Sequence, residues 1–173
     1  MSIPIIPRAS PLPPDVSTAP RLIGTTTAFL FLALLVFSAR ILSRVRPVPN
    51  LGWDDHTMTV AVVFALISWS FVVASIPYGA GRHMYYLSQA SNSGGGLMVF
   101  AGQTPWLWAN TLVKISVAFT FLRIKQTTTW RWFLYEAIAA QIASAIGATV
   151  TIFTQCKPLQ ALWDTTIPGS QCL

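Results

Sequence analysis

The densest cluster of reactive side chains in the sequence is Asp54, Asp55 and His56. Two carboxylates beside an imidazole could act as an acid–base pair or begin a metal site. The same residues stand at the predicted start of an apolar helix, where an Asp accepts backbone N–H bonds and complements the helix dipole. We therefore predict that Asp54 and Asp55 cap this helix, with an ion pair to a nearby Arg.

A metal site would need a third or fourth ligand, and the only other histidine is His83. His56 and His83 flank one predicted membrane helix, which places them about 40 Å apart. No other polar residues converge in the sequence pattern. We therefore predict no catalytic residue, no metal site and no cofactor.

Lys114 is the formal charge deepest inside an apolar run, and Asn110 lies four residues before it. An intramembrane charge costs at least ~2.5 kcal/mol at the centre of a helix. Lys114 either contacts a ligand, an ion or a carboxylate inside the bundle, or extends toward the membrane surface. We expect it to face the bundle. The polar candidates for ligand binding or bundle contacts are Lys114, Asn110, Asp54, Asp55, Arg82, His83 and Arg123.

Four apolar runs dominate the 173 residues, of which 53% are hydrophobic and 9% charged. Soluble domains carry about 25% charged residues, so this chain cannot build a water-soluble surface. The runs predict membrane helices at about 22–42, 57–78, 97–122 and 132–155, after a disordered, proline-rich tail over residues 1–21. The expected fold is an all-α, multi-pass transmembrane bundle over residues 22–173.

The positions of the cations predict the orientation of the helices. One side of the membrane collects Arg40, Arg44, Arg46, Arg123, Lys125 and Arg131, and the other Arg8, Arg21, Arg82 and Lys157. The positive-inside rule makes the first side cytoplasmic and the amino terminus external. Although the net charge is +6, the cations do not form the basic stripe that is typical of nucleic-acid binding. We expect the bilayer as partner, and no nucleic acid.

Cys156 and Cys172 are the only cysteines, and this topology places both outside. An oxidising compartment and an even cysteine count favour a disulfide between them. Two free thiols or an intermolecular bridge are the alternatives.

Short motifs follow one another in order along the chain. They are Arg40 and Arg44, Leu51-Gly52-Trp53-Asp54-Asp55, Gly79-Ala80-Gly81-Arg82-His83, Lys114-Ile115-Ser116, Phe121-Leu122-Arg123-Ile124, and Cys156, Pro158, Trp163, Asp164, Gly169 and Cys172. Their order resembles the fungal rhodopsin-domain family of integral membrane proteins. The resemblance implies a receptor-like plasma-membrane protein of normally seven helices, with an external amino terminus and a heterotrimeric G protein as candidate partner.

Two departures from this family are expected. The chain ends just after the Cys172 match, so we expect it to hold four of the seven helices. Retinal is not expected, because a retinal-binding rhodopsin attaches its chromophore to a lysine of its last helix, whereas Lys114 lies in the third. We predict a sensing or ligand-binding module without catalytic activity. A transporter or channel subunit, or a membrane accessory protein of secondary metabolism, is the alternative.

Overall fold

The computed structural model describes residues 17–46, 52–82, 87–124, 127–164 and 171–172. These residues form helices α1 (Ala19–Val45), α2 (Trp53–Ser75), α3 (Gln89–Ile124) and α4 (Thr128–Thr154). Short 3₁₀ turns cover Ile76–Tyr78 and Leu159–Leu162, and two-residue strands cover β1 (Cys156–Lys157) and β2 (Gln171–Cys172). In this part of the chain, four helices are long and apolar enough to cross a membrane. The predicted all-α transmembrane bundle is confirmed.

The helices are longer than the apolar runs that predict them. α1 begins at Ala19, inside the predicted tail, because Pro20 stands in the first turn, where a missing N–H breaks no helical bond. α3 begins at Gln89 rather than near residue 97, and Pro105 lies inside it. An apolar run marks only the part of a helix within the hydrocarbon, whereas backbone hydrogen bonds continue beyond it. Residues 1–16 of the predicted tail lie outside the described residues.

Small residues recur at every seventh position on α2 and α3, and all of them are buried. Buried on α2, together with Asp54 of its first turn, are Ala61, Ser68 and Ser75, and on α3 Gly95, Gly102, Ala109 and Ser116. A seven-residue spacing keeps side chains on one face of a helix. Without large side chains between them, two helices can approach closely in a membrane.

Two hydrogen bonds fix the register between these helices. The Ser116 hydroxyl donates to the Asp54 carbonyl at 2.6 Å, and the Ser68 hydroxyl donates to the Gly102 carbonyl at 3.0 Å. α2 and α3 are therefore antiparallel, with their small residues facing each other. This pair makes the most extensive contact between elements, and α4 packs against α3.

α1 lies close to α2 at only a few positions. At one end of the bundle, the Thr18 N–H donates to the Gly81 carbonyl at 2.9 Å. At the other end, Arg40 reaches the first turn of α2. We call these the Arg82 end and the Arg40 end. Between them α1 stands away from α2 and leaves a groove.

The segment after α4 folds back over the Arg82 end. The Trp163 ring lies 5.2 Å from that of Phe100, measured between centroids, and a Cβ at Gly96 would lie 2.9 Å from the Trp163 Cβ. A glycine at position 96 therefore lets Trp163 approach α3. β1 and β2 pair antiparallel, with Cys156 directly opposite Cys172.

Two helical glycines should respond differently to enlargement. A Cβ at Gly102 would lie 3.0 Å from the Phe71 Cβ, whereas a Cβ at Gly147 would meet no atom within 4 Å. We expect Gly102→Leu to lower the free energy of unfolding by about 1–3 kcal/mol, because the side chain forces α2 and α3 apart. Gly147→Leu should leave it unchanged or raise it, since leucine favours helix more than glycine. Unfolding of each variant in mixed micelles checks this, and equal losses would refute the helix contact.

Candidate functional site

Arg40 pairs with both carboxylates of the first turn of α2. Its Nη2 lies 2.8 Å from Asp54 Oδ2, and its Nε lies 3.1 Å from Asp55 Oδ1. Arg44, one turn further along α1, places its Nη2 3.1 Å from the same Asp54 oxygen. The two aspartates are 4% and 2% exposed, so few solvent contacts compete with these ion pairs. This is the predicted ion pair to a nearby Arg.

The backbone around Gly52 positions the two carboxylates. The Gly52 N–H donates to Asp55 Oδ2 at 3.2 Å, which is the predicted cap of α2. A Cβ at Gly52 would collide with Asp54 Oδ1, so a larger residue there would require the Asp54 carboxylate to move. Negative charge in the first turn also complements the positive end of the helix dipole.

α3 completes this group through two hydroxyls. Thr120 Oγ1 accepts a hydrogen bond from Arg40 Nη2 at 3.0 Å and lies 3.4 Å from Asp54 Oδ2. The Ser116 hydroxyl binds the Asp54 carbonyl, as described above. We call Arg40, Arg44, Asp54, Asp55 and Thr120 the charge cluster. It links α1, α2 and α3 at the Arg40 end.

The groove between α1 and the α2–α3 pair holds a cavity of about 570 Å³. Its lining is apolar for most of its length and includes Phe29, Trp69 and Val113. The Trp69 Nε1 is buried and has no hydrogen-bond partner among the residues that the structure describes. Asn110 also lines the cavity, with its Nδ2 donating to the Trp106 carbonyl at 2.9 Å. The middle of the groove is therefore a largely apolar wall.

A second cavity of about 460 Å³ lies at the Arg82 end. Tyr78, Arg82 and Asn92 contribute to its lining. Thr26 and Val72 line both cavities, so the two form one continuous groove. The groove therefore runs from a cationic mouth to an apolar interior.

The remaining sequence-predicted candidates lie apart from the charge cluster. Lys114 is exposed on the described helices, between exposed Val113 and buried Ile115, so the expectation that it faces the bundle stays a prediction. It does not line either cavity of the groove. Arg123 is exposed near the Arg40 end, where a Cβ at Gly52 would lie 3.5 Å from its Nη1. His83 lies outside the described residues.

The sequence matches the model of the Fungal rhodopsin domain family over residues 39–173. The chain belongs to the fungal rhodopsin domain family. The predicted resemblance is confirmed, and with four membrane-spanning helices this member is a rhodopsin-like membrane protein. The matched region begins one residue before Arg40, so it includes the whole charge cluster and α2, α3 and α4. No curated protein and no solved structure is significantly similar to the chain.

Sequence reasoning did not assign three residues of this fungal rhodopsin domain to the charge cluster. Arg40 and Arg44 entered as orientation signals and as part of the family resemblance, although their four-residue spacing places them on one face of α1. Thr120 gave no local signal, because a threonine inside an apolar run is ordinary in a membrane helix. Its role depends on the antiparallel register of α2 and α3.

Proposed function

We propose that this fungal rhodopsin domain protein is a receptor-like sensor without catalytic activity. A ligand binds in the groove, and the charge cluster responds at the far end of the same helices. The observation that supports this proposal is the position of α2, which contributes Asp54 and Asp55 to the cluster and Trp69 and Val72 to the groove. Movement of α1 against α2 would change both regions together.

The charge cluster has the physical character of a switch. Asp54 and Asp55 are almost fully buried, so separating them from Arg40 leaves uncompensated charge unless water enters. Intermediate separations are therefore unfavourable. The cluster favours two arrangements, one with the ion pairs formed and one with the ion pairs broken. A cytoplasmic partner that binds the broken arrangement better would shift the equilibrium toward it. We propose a heterotrimeric G protein for this role.

Thr120→Val tests this function because it keeps the side-chain volume and removes the hydroxyl that accepts the hydrogen bond from Arg40. We expect basal nucleotide exchange on a heterotrimeric G protein to rise several-fold in membranes that contain the full-length variant. Thr129→Val is the matched control, since Thr129 is exposed at the start of α4. Exchange at the level of empty membranes for wild type and both variants would reject the G-protein role. Solute flux in the same vesicles would instead favour a transporter.

The proposal requires the Arg40 end to face the cytoplasm, with the amino terminus outside at the plasma membrane. The surplus of cations at the Arg40 end supports this orientation. An oxidising external side would also suit a disulfide between Cys156 and Cys172, which we propose on the basis of their opposed positions in β1 and β2. Glycosylation acceptors inserted beside Arg46 should remain unmodified, whereas acceptors beside Lys157 should be modified. The reverse pattern would overturn the orientation.

A further inference from the structure

We infer that the chain forms a parallel dimer in the membrane, in which Lys114 of each copy pairs with Glu136 of the other. The inference does not depend on the proposed sensing function, because neither residue belongs to the charge cluster or lines the groove. It follows from the positions of two intramembrane charges and from the small residues that accompany one of them on α4.

Two charged residues of the four described helices lie more than two turns from a helix end. They are Lys114 on α3 and Glu136 on α4, and they carry opposite charges. Both side chains are exposed, and neither forms an ion pair within the described residues. A charge inside a membrane is unfavourable unless another charge or a polar group compensates it. A partner that compensates both residues must therefore present an anion and a cation.

The two charges lie at nearly the same depth. Lys114 stands ten residues before the end of α3, or about 15 Å, and Glu136 stands eight residues after the start of α4, or about 12 Å. Only residues 125–127 join these two helices, so the two ends lie on the same side of the membrane. A second copy in the same orientation would therefore bring its Glu136 to the level of Lys114, and its Lys114 to the level of Glu136. A twofold axis along the membrane normal makes both ion pairs at once.

A second copy compensates these charges better than lipid does. Phospholipid headgroups reach Lys114 only when its long side chain extends toward the membrane surface. The shorter side chain of Glu136 cannot extend as far, and hydrocarbon offers it no hydrogen-bond donor. One contact surface between two copies supplies a partner for each residue.

The face of α4 that carries Glu136 allows another helix to approach closely. Ala140, Ala143 and Gly147 follow Glu136 at spacings of four, three and four residues, which keeps them on one face, and all are exposed. A Cβ at Gly147 would meet no atom of the same chain within 4 Å. Small residues at such spacings are typical of contacts between membrane helices. The charge complementarity with Lys114 identifies the approaching helix as part of a second copy.

Exchange of the two charges tests the dimer. Full chains labelled with donor or acceptor fluorophores are reconstituted in phosphatidylcholine liposomes, and energy transfer is measured over a range of protein-to-lipid ratios. We expect saturable energy transfer for the wild type. Lys114→Glu and Glu136→Lys should each weaken dimerisation about tenfold or more, because like charges then face each other in both pairs.

A mixture of the two variants should dimerise about as tightly as the wild type, because each mixed dimer contains both ion pairs with the charges exchanged. An ion pair within one chain would be restored only in the double variant Lys114→Glu with Glu136→Lys, and not by mixing. Failure of the mixture to regain energy transfer would therefore overturn the dimer. Wild-type energy transfer no greater than that of a non-interacting membrane protein would also overturn it, and would mean that lipid surrounds both charges.

Two further variants separate the interface from the fold and from net charge. Gly147→Leu adds a side chain that has room within one chain but not against a second helix, so it should weaken dimerisation about tenfold while the single chain stays folded. Arg131→Glu changes the charge as Lys114→Glu does, and Arg131 is exposed on a different face of α4, five residues from Glu136. We expect Arg131→Glu to dimerise like the wild type. Equal losses in Arg131→Glu and Lys114→Glu would attribute the effect to net charge and would refute the ion pair.

Discussion

We expect Arg40→Gln to lower the free energy of unfolding by about 3 kcal/mol, the usual result when one partner of a buried ion pair is removed. Arg40 is the residue that contacts Asp54 and Asp55 together, and both carboxylates are almost fully buried. Arg44 remains beside Asp54 in the variant, so Asp55 loses the larger part of its compensation. Equilibrium unfolding in mixed micelles, followed by circular dichroism, measures the change.

Arg46→Gln is the matched control for this prediction. Arg46 follows α1 directly, is exposed, and forms no ion pair within the described part of the chain. We expect its replacement to change stability by less than about 0.5 kcal/mol, as is usual at the surface. Equal losses in the Arg40 and Arg46 variants would show that the total positive charge at the Arg40 end, and not the ion pairs of the charge cluster, stabilises the protein.

A double variant isolates the interaction between the partners. Asp55→Asn removes one charge but keeps an oxygen that can accept the Gly52 N–H. If Arg40 and Asp55 interact as described, the double variant Arg40→Gln with Asp55→Asn should be more stable than the sum of the single losses implies. A coupling of about 1–3 kcal/mol is expected for groups in direct contact. Strictly additive losses would show that Arg40 stabilises the protein through contacts other than the one with Asp55.

The sequence was sufficient to predict the four membrane helices, because long apolar runs have few alternatives to helix in lipid. It was also sufficient to predict that Asp54 and Asp55 begin α2, since unpaired N–H groups of a first turn favour carboxylates. The environment of Lys114 could not be predicted in the same way. An intramembrane charge indicates that compensation is needed, but the face of the helix that carries it depends on which neighbours pack where.

The contact between α2 and α3 could likewise be predicted only in part from the sequence. Its seven-residue spacing of small residues is present in the sequence, for example at Gly102, Ala109 and Ser116. Spacing alone does not name the partner helix or the register. Those depend on the hydrogen bonds from Ser116 to Asp54 and from Ser68 to Gly102, which join residues more than thirty positions apart. The groove follows only once that register is known.

Replacing both Cys156 and Cys172 by Ser is expected to lower the free energy of unfolding by about 3 kcal/mol. The reason is the proposed disulfide, which would close a loop of about 17 residues and restrict the unfolded chain. The two residues face each other across an antiparallel strand pair. Directly opposed residues in such a pair have Cα atoms about 4.5–5.5 Å apart, within the range that a disulfide requires. Cys156 is also buried, which protects it from external reductants.

Comparison of single and double cysteine variants separates a covalent bond from simple packing. If a bond exists, each single Ser variant should show nearly the full loss in free energy of unfolding that the double variant shows. The second substitution should then add little, because the first already removes the bond. Wild type treated with a reducing agent should then unfold like the double variant. Independent, additive losses that reducing agent does not reproduce would contradict the bond. Labelling of both thiols by an alkylating reagent before reduction, in protein from an oxidising secretory pathway, would also contradict it and would weaken the proposed external position of this loop.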